Sequence, residues 1–211
     1  MGSSRRYNSS VFINCPFDDR YGPIFDALVF AVFDCGFTAR CSREFAGSGG
    51  VRIDNIVALI DECKFGLHDI SRTEPDAGSG LPRFNMPLEL GIFLGAMKLG
   101  TQRHRHKDCL VLDTEPYRYQ KFISDISGQD VVSHGADRKA AIEKVRNWLN
   151  ASPETAEWSL PGGAKISQRY DQFQSDLPNQ CRAVHLEPEE LTFNDFVLLV
   201  SGWLQENPWN I

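Results

Sequence analysis

Residues 64–100 read KFGLHDISRTEPDAGSGLPRFNMPLELGIFLGAMKLG, and this stretch decides the fold. Phe65–Ile70 is short and mostly apolar and predicts a buried strand. Ser71–Arg83 is rich in Gly and Pro and is about as long as loops without internal structure become. Phe84–Leu99 predicts a largely apolar helix whose only charged residues are Glu89 and Lys98. Asn85 is its expected N-cap, and Pro87 falls in the first turn, where a missing N–H costs little. Glu89 is expected in that first turn, and Asp69 falls where the strand ends. A carboxylate on an apolar helix face meets a large desolvation cost unless it is partnered or used. The expectation is that Asp69 and Glu89 share one pocket. Each also has a plainer role: a first-turn Glu stabilises its own helix through the dipole, and a strand-end Asp bonds turn N–H groups.

The same alternation extends in both directions. Val11–Asn14 (VFIN) predicts a first strand, followed by the loop CPFDDRYGP and an apolar helix, Ile24–Cys35, ended by Gly36. Phe37–Cys41 predicts a second strand. Val51–Cys63 predicts an amphipathic helix, with Ile53, Ile56, Val57 and Ile60 at helical spacing. Beyond residue 100, Cys109–Asp113 and Asp130–Ser133 predict strands, while Tyr117–Ile126 and Arg138–Leu149 predict helices. Strands alternating with helices mark a doubly wound parallel sheet. Five strands point to a flavodoxin-like α/β fold of order 2-1-3-4-5, with its ligand edge at the carboxyl ends of the strands. The loops after the first and third strands then lie side by side.

The flanks differ in character. Residues 1–10 are polar and are expected to be disordered, 11–150 form the α/β domain, and 151–211 form a small C-terminal helical appendage. Within the last, Ser152–Gly163 reads as a linker, Ala164–Phe173 as a helix and Leu177–Ala183 as loop. Thr192–Leu204 reads as a helix opened by a capping box of Thr192 and Asp195. Two such helices cannot bury a core alone, so they are expected to pack on the α/β domain or to form a dimer contact.

The chain has 211 residues and a net charge of −6, which argues against a nucleic-acid or anionic-membrane partner. No apolar run reaches about 18 residues, so no membrane span is expected. Six cysteines include no CxxC pair. With no secretory leader read at the start, reduced thiols and a cytoplasmic location are expected.

The stretch HDISR…RFNMPLELGIFLGA resembles the D-(L/I)-(S/T) … N-(V/M)-x-x-E-L-G-x-x-x-(G/A) pattern of the nucleoside 2-deoxyribosyltransferase-like superfamily. That group includes nucleotide N-glycosidases and overlaps in fold with TIR-like domains. VFINCPFDD also looks like its first strand and substrate loop, and the likeness covers Val11 to Leu149. One departure is Leu88, where many relatives carry an aromatic residue. The resemblance implies Glu89 as nucleophile or oxocarbenium stabiliser and Asp69 as its acid/base or sugar-holding partner. It implies that Asn85 orients Glu89 or the sugar, and that Asn14, Pro16, Phe17 and Met86 line the pocket. The implied substrate is a nucleoside monophosphate or NAD, with no cofactor and no metal expected, in a homo-oligomer.

Other residues are weighed against this frame. Arg72, Arg83, Arg40 and Arg52 are candidate phosphate contacts, because a guanidinium fork matches phosphate oxygens; otherwise they are solvated surface residues. Arg72 leads because it follows Asp69–Ser71 at the ligand edge. Tyr21 is placed either to stack on a base or to cap the helix after it. Strand alternation points His68 and Asp69 to opposite faces, which makes His68 a core residue. His104 and His106 lie in a basic turn without further metal ligands. Gly47–Gly50 lacks the Lys-Ser/Thr of a phosphate loop. The alternatives to an enzyme are a non-catalytic nucleotide-sensing module, or a TIR-like self-association scaffold in bacterial defence.

Overall fold

The computed structural model describes every residue except 1, 48, 76, 77, 79, 158, 210 and 211. Five parallel strands form one sheet: β1 Ser10–Asn14, β2 Thr38–Arg40, β3 Phe65–Asp69, β4 Asp108–Asp113 and β5 Val131–Ser133. Their order is β2-β1-β3-β4-β5, the flavodoxin-like arrangement. The central strands β1 and β3 are buried at every position, as strands covered on both faces must be. Register runs from Val11 beside Phe65 to Asn14 beside His68, so the two strands end almost level.

Among the described residues, seven helices surround the sheet. They are α1 Gly2–Ser9, α2 Gly22–Asp34, α3 Arg52–Glu62, α4 Asn85–Leu99, α5 Arg138–Asn150, α6 Gly163–Ala183 and α7 Phe193–Glu206. One face of the sheet carries α2 and α5, which join Val11, Ile13, Phe65 and Leu67 in one core. The other face carries α3 and α4, where Phe12 packs with Ile56, Leu59, Ile60 and Phe93. His68 lies on this second face, fully buried between the rings of Phe12 and Phe93. As expected, it is a core residue, and Asp69 points the opposite way.

The C-terminal helices pack on the α/β domain, over α2. Phe30 of α2 meets Tyr170 and Phe173 of α6 and Trp203 of α7, with ring centroids 5.4, 5.4 and 5.8 Å away. This explains why α2 is apolar all round: it is buried on both sides. The capping box at Thr192 and Asp195 forms with both of its bonds. Gly36 takes a left-handed φ of 82° just past α2, as its expected terminator does. Among the described residues no helix is long and apolar enough to cross a membrane.

Five local expectations are corrected. Residues 2–9, read as disordered, form α1, which is anchored by Tyr7: its hydroxyl donates to the Arg103 carbonyl, and its ring lies under the Arg103 guanidinium. The helix expected over Tyr117–Ile126 is two short 3₁₀ turns, because Tyr117 takes a left-handed φ of 59° and Ile123 an extended one. The loop expected over Leu177–Ala183 belongs to α6, where Leu177 and Cys181 continue the buried series Ile166, Tyr170, Phe173 despite Pro178. Asn85 is not an N-cap but the first residue of α4, and its side chain makes no cap bond. Glu89 therefore stands in the second turn rather than the first. The linker over Ser152–Gly163 is pinned: Lys64 pairs with Glu154, and Arg146 donates to the carbonyls of Leu160 and Pro161.

Candidate active site

The switch point of this sheet lies between β1 and β3, and the loops that follow these strands build the site. Two clasps hold the loops together. At the surface, Asp18 receives a two-point contact from Arg72, Nη2 to Oδ1 at 2.8 Å and Nε to Oδ2 at 3.1 Å. The same carboxylate accepts the backbone N–H groups of Arg20 and Tyr21, which shapes the turn into α2. In the interior, the Tyr21 hydroxyl donates to Asp69 Oδ2 at 2.5 Å, and Asp69 Oδ1 accepts Ser71 N–H at 2.8 Å. The connections close a ring from Asp18 through Tyr21 and Asp69 to Ser71, Arg72 and back.

Charge follows this geometry. The Arg72 guanidinium holds the Asp18 carboxyl below the usual range. Burial pushes the Tyr21 hydroxyl well above its ordinary value, and the neighbouring Asp69 charge adds to the shift. His134, after β5, brings Nε2 within 2.9 Å of Asp69 Oδ2, off the line of a hydrogen bond.

On the α4 side of β3 a pocket of about 270 Å³ opens at the ends of β1 and α4. Glu89 lines it, 5% exposed and without a hydrogen bond or ion pair among the described residues. Burial raises its carboxyl from 4.5 to about 7, and the positive charge of Arg52 opposes the rise. Asn14 helps to form the wall and is itself fixed: its amide donates to His68 Nδ1 and to the Met86 carbonyl, both at 2.9 Å. Burial drives the His68 ring down to about 3, so it stays neutral and accepts.

Nine of the sequence-predicted residues come together here: Glu89, Asn14, Pro16, Phe17, Arg52, Arg72, Arg83, Asn85 and Met86. Asp69 and Tyr21 do not. Asp69 is fully buried on the opposite face of β3, so the expected shared pocket of two carboxylates is not formed. Tyr21 neither stacks at this pocket nor caps α2 with its side chain; it reaches down to Asp69 instead. Of the phosphate candidates, Arg40 is held by Glu44 and Glu62, and Arg72 by Asp18. Arg52 and Arg83 line the pocket without a carboxylate partner among the described residues.

Two residues were missed from sequence. Asp18 is the second carboxylate at the Glu89 pocket, and its signal was an Asp three positions before a Tyr-Gly-Pro helix start. His134 had only its place after a strand at the ligand edge.

Fold and site together define an α/β protein of flavodoxin-like topology, with a buried carboxylate, unpaired among the described residues, facing a pocket at the ligand edge. No family model matches the chain, and no curated protein matches its sequence.

Proposed function

We propose that the chain cleaves or transfers at the N-glycosidic bond of a nucleotide-type substrate, a nucleoside monophosphate or NAD, with Glu89 as the catalytic carboxylate. The observation that carries the reading is Glu89 itself: buried, unpaired, open to a pocket and shifted to about 7. A structural Glu in that setting would be expected to have found a partner. The resemblance of residues 69–95 to nucleotide N-glycosidases gives the same role.

Ionised Glu89 stabilises the positive charge that builds on the anomeric carbon as the C–N bond breaks. Arg72 holds the Asp18 carboxyl low while burial shifts Glu89 upward, so of the two carboxylates at this pocket Glu89 is the one whose ionisation is set near neutral pH. Asp69 acts as a positioning residue, because it ties Tyr21 to Ser71 and so sets the loop that carries Asp18. Arg52 and Arg83 are the guanidiniums left to meet a substrate phosphate. Exposed Phe84 just before α4, Leu88 on α4 and Val57 on α3 support the homo-oligomer that accompanies this reading.

The test is incubation with a panel of nucleosides, nucleoside monophosphates and NAD, followed by chromatography for free base. Base release that Glu89→Gln lowers by about a thousandfold or more is expected for a group of this kind. Tight nucleotide binding with no turnover, unchanged by Glu89→Gln, overturns the enzyme in favour of a sensing module.

A further inference from the structure

The Asn14 amide at the Glu89 pocket can stand only one way round. Its nitrogen lies 2.9 Å from the Met86 carbonyl and 2.9 Å from His68 Nδ1. A carbonyl only accepts, so the atom facing Met86 is the N–H₂ group, and its second hydrogen goes to His68. The amide oxygen is thereby turned away from both. Among the described residues that oxygen accepts no hydrogen bond, yet it is not sealed from solvent, so it opens on the pocket that Asn14 lines. We propose that this oxygen accepts from the sugar hydroxyl next to the anomeric carbon, so that the pocket selects a ribonucleotide over its 2′-deoxy counterpart. The inference rests on the glycosidic reading and names the sugar within it.

The helix sets the placement. Asn14 is tied to Met86, and Glu89 stands one turn further along α4, on the same buried face. A sugar carbon that meets Glu89 therefore brings its own substituents to Asn14. The 2′-hydroxyl sits on the carbon beside the anomeric centre, whereas the exocyclic N–H groups of a base lie across the base ring. Hydrogen bonds to that hydroxyl also strengthen in the transition state of glycosidic cleavage. A 2′-deoxy sugar sets a C–H against the same fixed acceptor and leaves it unmatched.

The contact is held rigidly. Asn14 closes β1 directly beside His68 on β3 and is 2% exposed. His68 is a positioning residue. Burial keeps its ring neutral, so Nδ1 accepts from Asn14 and the proton sits on Nε2. Nε2 is buried and has no partner among the described residues. An apolar side chain would fill the space between Phe12 and Phe93 without that orphaned donor. What the histidine adds is a second acceptor that fixes the Asn14 amide.

The experiment compares adenosine, guanosine, cytidine and uridine 5′-monophosphates with their 2′-deoxy forms, and NAD with its analogue lacking the 2′-hydroxyl of the nicotinamide ribose. Calorimetry on Glu89→Gln reads recognition apart from turnover. The ribo member of a bound pair should bind about tenfold or more tighter, and Asn14→Ala added to Glu89→Gln should erase the difference. With Glu89 intact, base release gives the ribo-to-deoxy ratio of kcat/KM, which does not depend on how much of a variant is folded. Asn14→Ala should lower that ratio by about tenfold or more, and His68→Leu should lower it in the same direction. Equal binding of both members, tighter binding of the deoxy member, or a ratio that Asn14→Ala leaves unchanged overturns the inference; base release by the wild type then leaves the glycosidic reading standing. A ratio unchanged in His68→Leu overturns the positioning role. Absence of base release from every compound overturns the glycosidic reading instead, and the binding comparison alone then decides the inference.

Discussion

Glu89 gains nothing from the fold when it ionises except the charge of Arg52. Its folded carboxyl titrates at about 7, against an ordinary 4.5, so between those values the folded chain binds more protons than the unfolded one. Stability therefore falls as pH rises through that window, and above it the cost stands at roughly 3 kcal/mol. Glu89→Gln removes the ionisation. We expect the variant to be more stable than wild type by about 1–3 kcal/mol at pH 8, with the difference gone near pH 4.5. Urea denaturation at the two pH values decides this, and a wild type that is the more stable at pH 8 counts against a buried, unpaired Glu89. Catalysis has the opposite sign, since the ionised form does the work. kcat/KM should climb through a pH of about 7. Arg52→Ala removes the charge that favours ionisation, so it should move the climb to higher pH. A profile that stays in place shows that Arg52 does not face the titrating group.

The strand β3 and the helix α4 explain both what was legible beforehand and what was not. Strand order, the central strands and the helix flanks could be read because short apolar runs alternate with helical spacing. That Glu89, Asn14 and Met86 meet could also be read from the motif. The pairing of Glu89 with Asp69 failed on a point of parity. Alternation along β3 separates His68 from Asp69, and α4 covers the face of His68. A right-handed crossover from β3 to β4 places its helix opposite the helix that follows β1. Glu89 therefore shares a face with Asn14, while Asp69 shares one with Tyr21. The clasp of Tyr21 with Asp69, and the approach of His134, join parts distant in the chain, which no local pattern announces. Asp69→Asn leaves an oxygen for Ser71 but turns an N–H₂ toward Tyr21 or His134, and should cost about 2–4 kcal/mol. Its melting temperature should drop while the pH of half-maximal kcat/KM holds at the wild-type value. Movement of that pH instead would make Asp69 part of the titrating machinery.

The protein has its largest core on the α2 side, where the sheet, α5, α6 and α7 all close around one helix. Phe30 stands at its centre, fully buried. Phe30→Ala should cost about 3–5 kcal/mol, read as a lower denaturation midpoint; a loss under about 1 kcal/mol would mean that the C-terminal helices are loosely attached. The opposite side is thinner. α4 buries only Met86, Glu89, Leu90 and Phe93, and Phe84, Leu88 and Leu99 lie exposed. Two helices of similar apolar character thus live in different surroundings, one sandwiched and one bare on its outside. Amide hydrogen exchange separates such settings, because protection tracks the cheapest opening available to each hydrogen bond. For Leu28–Val32 in α2 the cheapest opening is loss of the entire core, so their amides exchange last and report global stability. For Leu94–Leu99 in α4, local opening suffices, and those amides exchange while the rest of the chain, and the pocket at the other end of the same helix, stays folded.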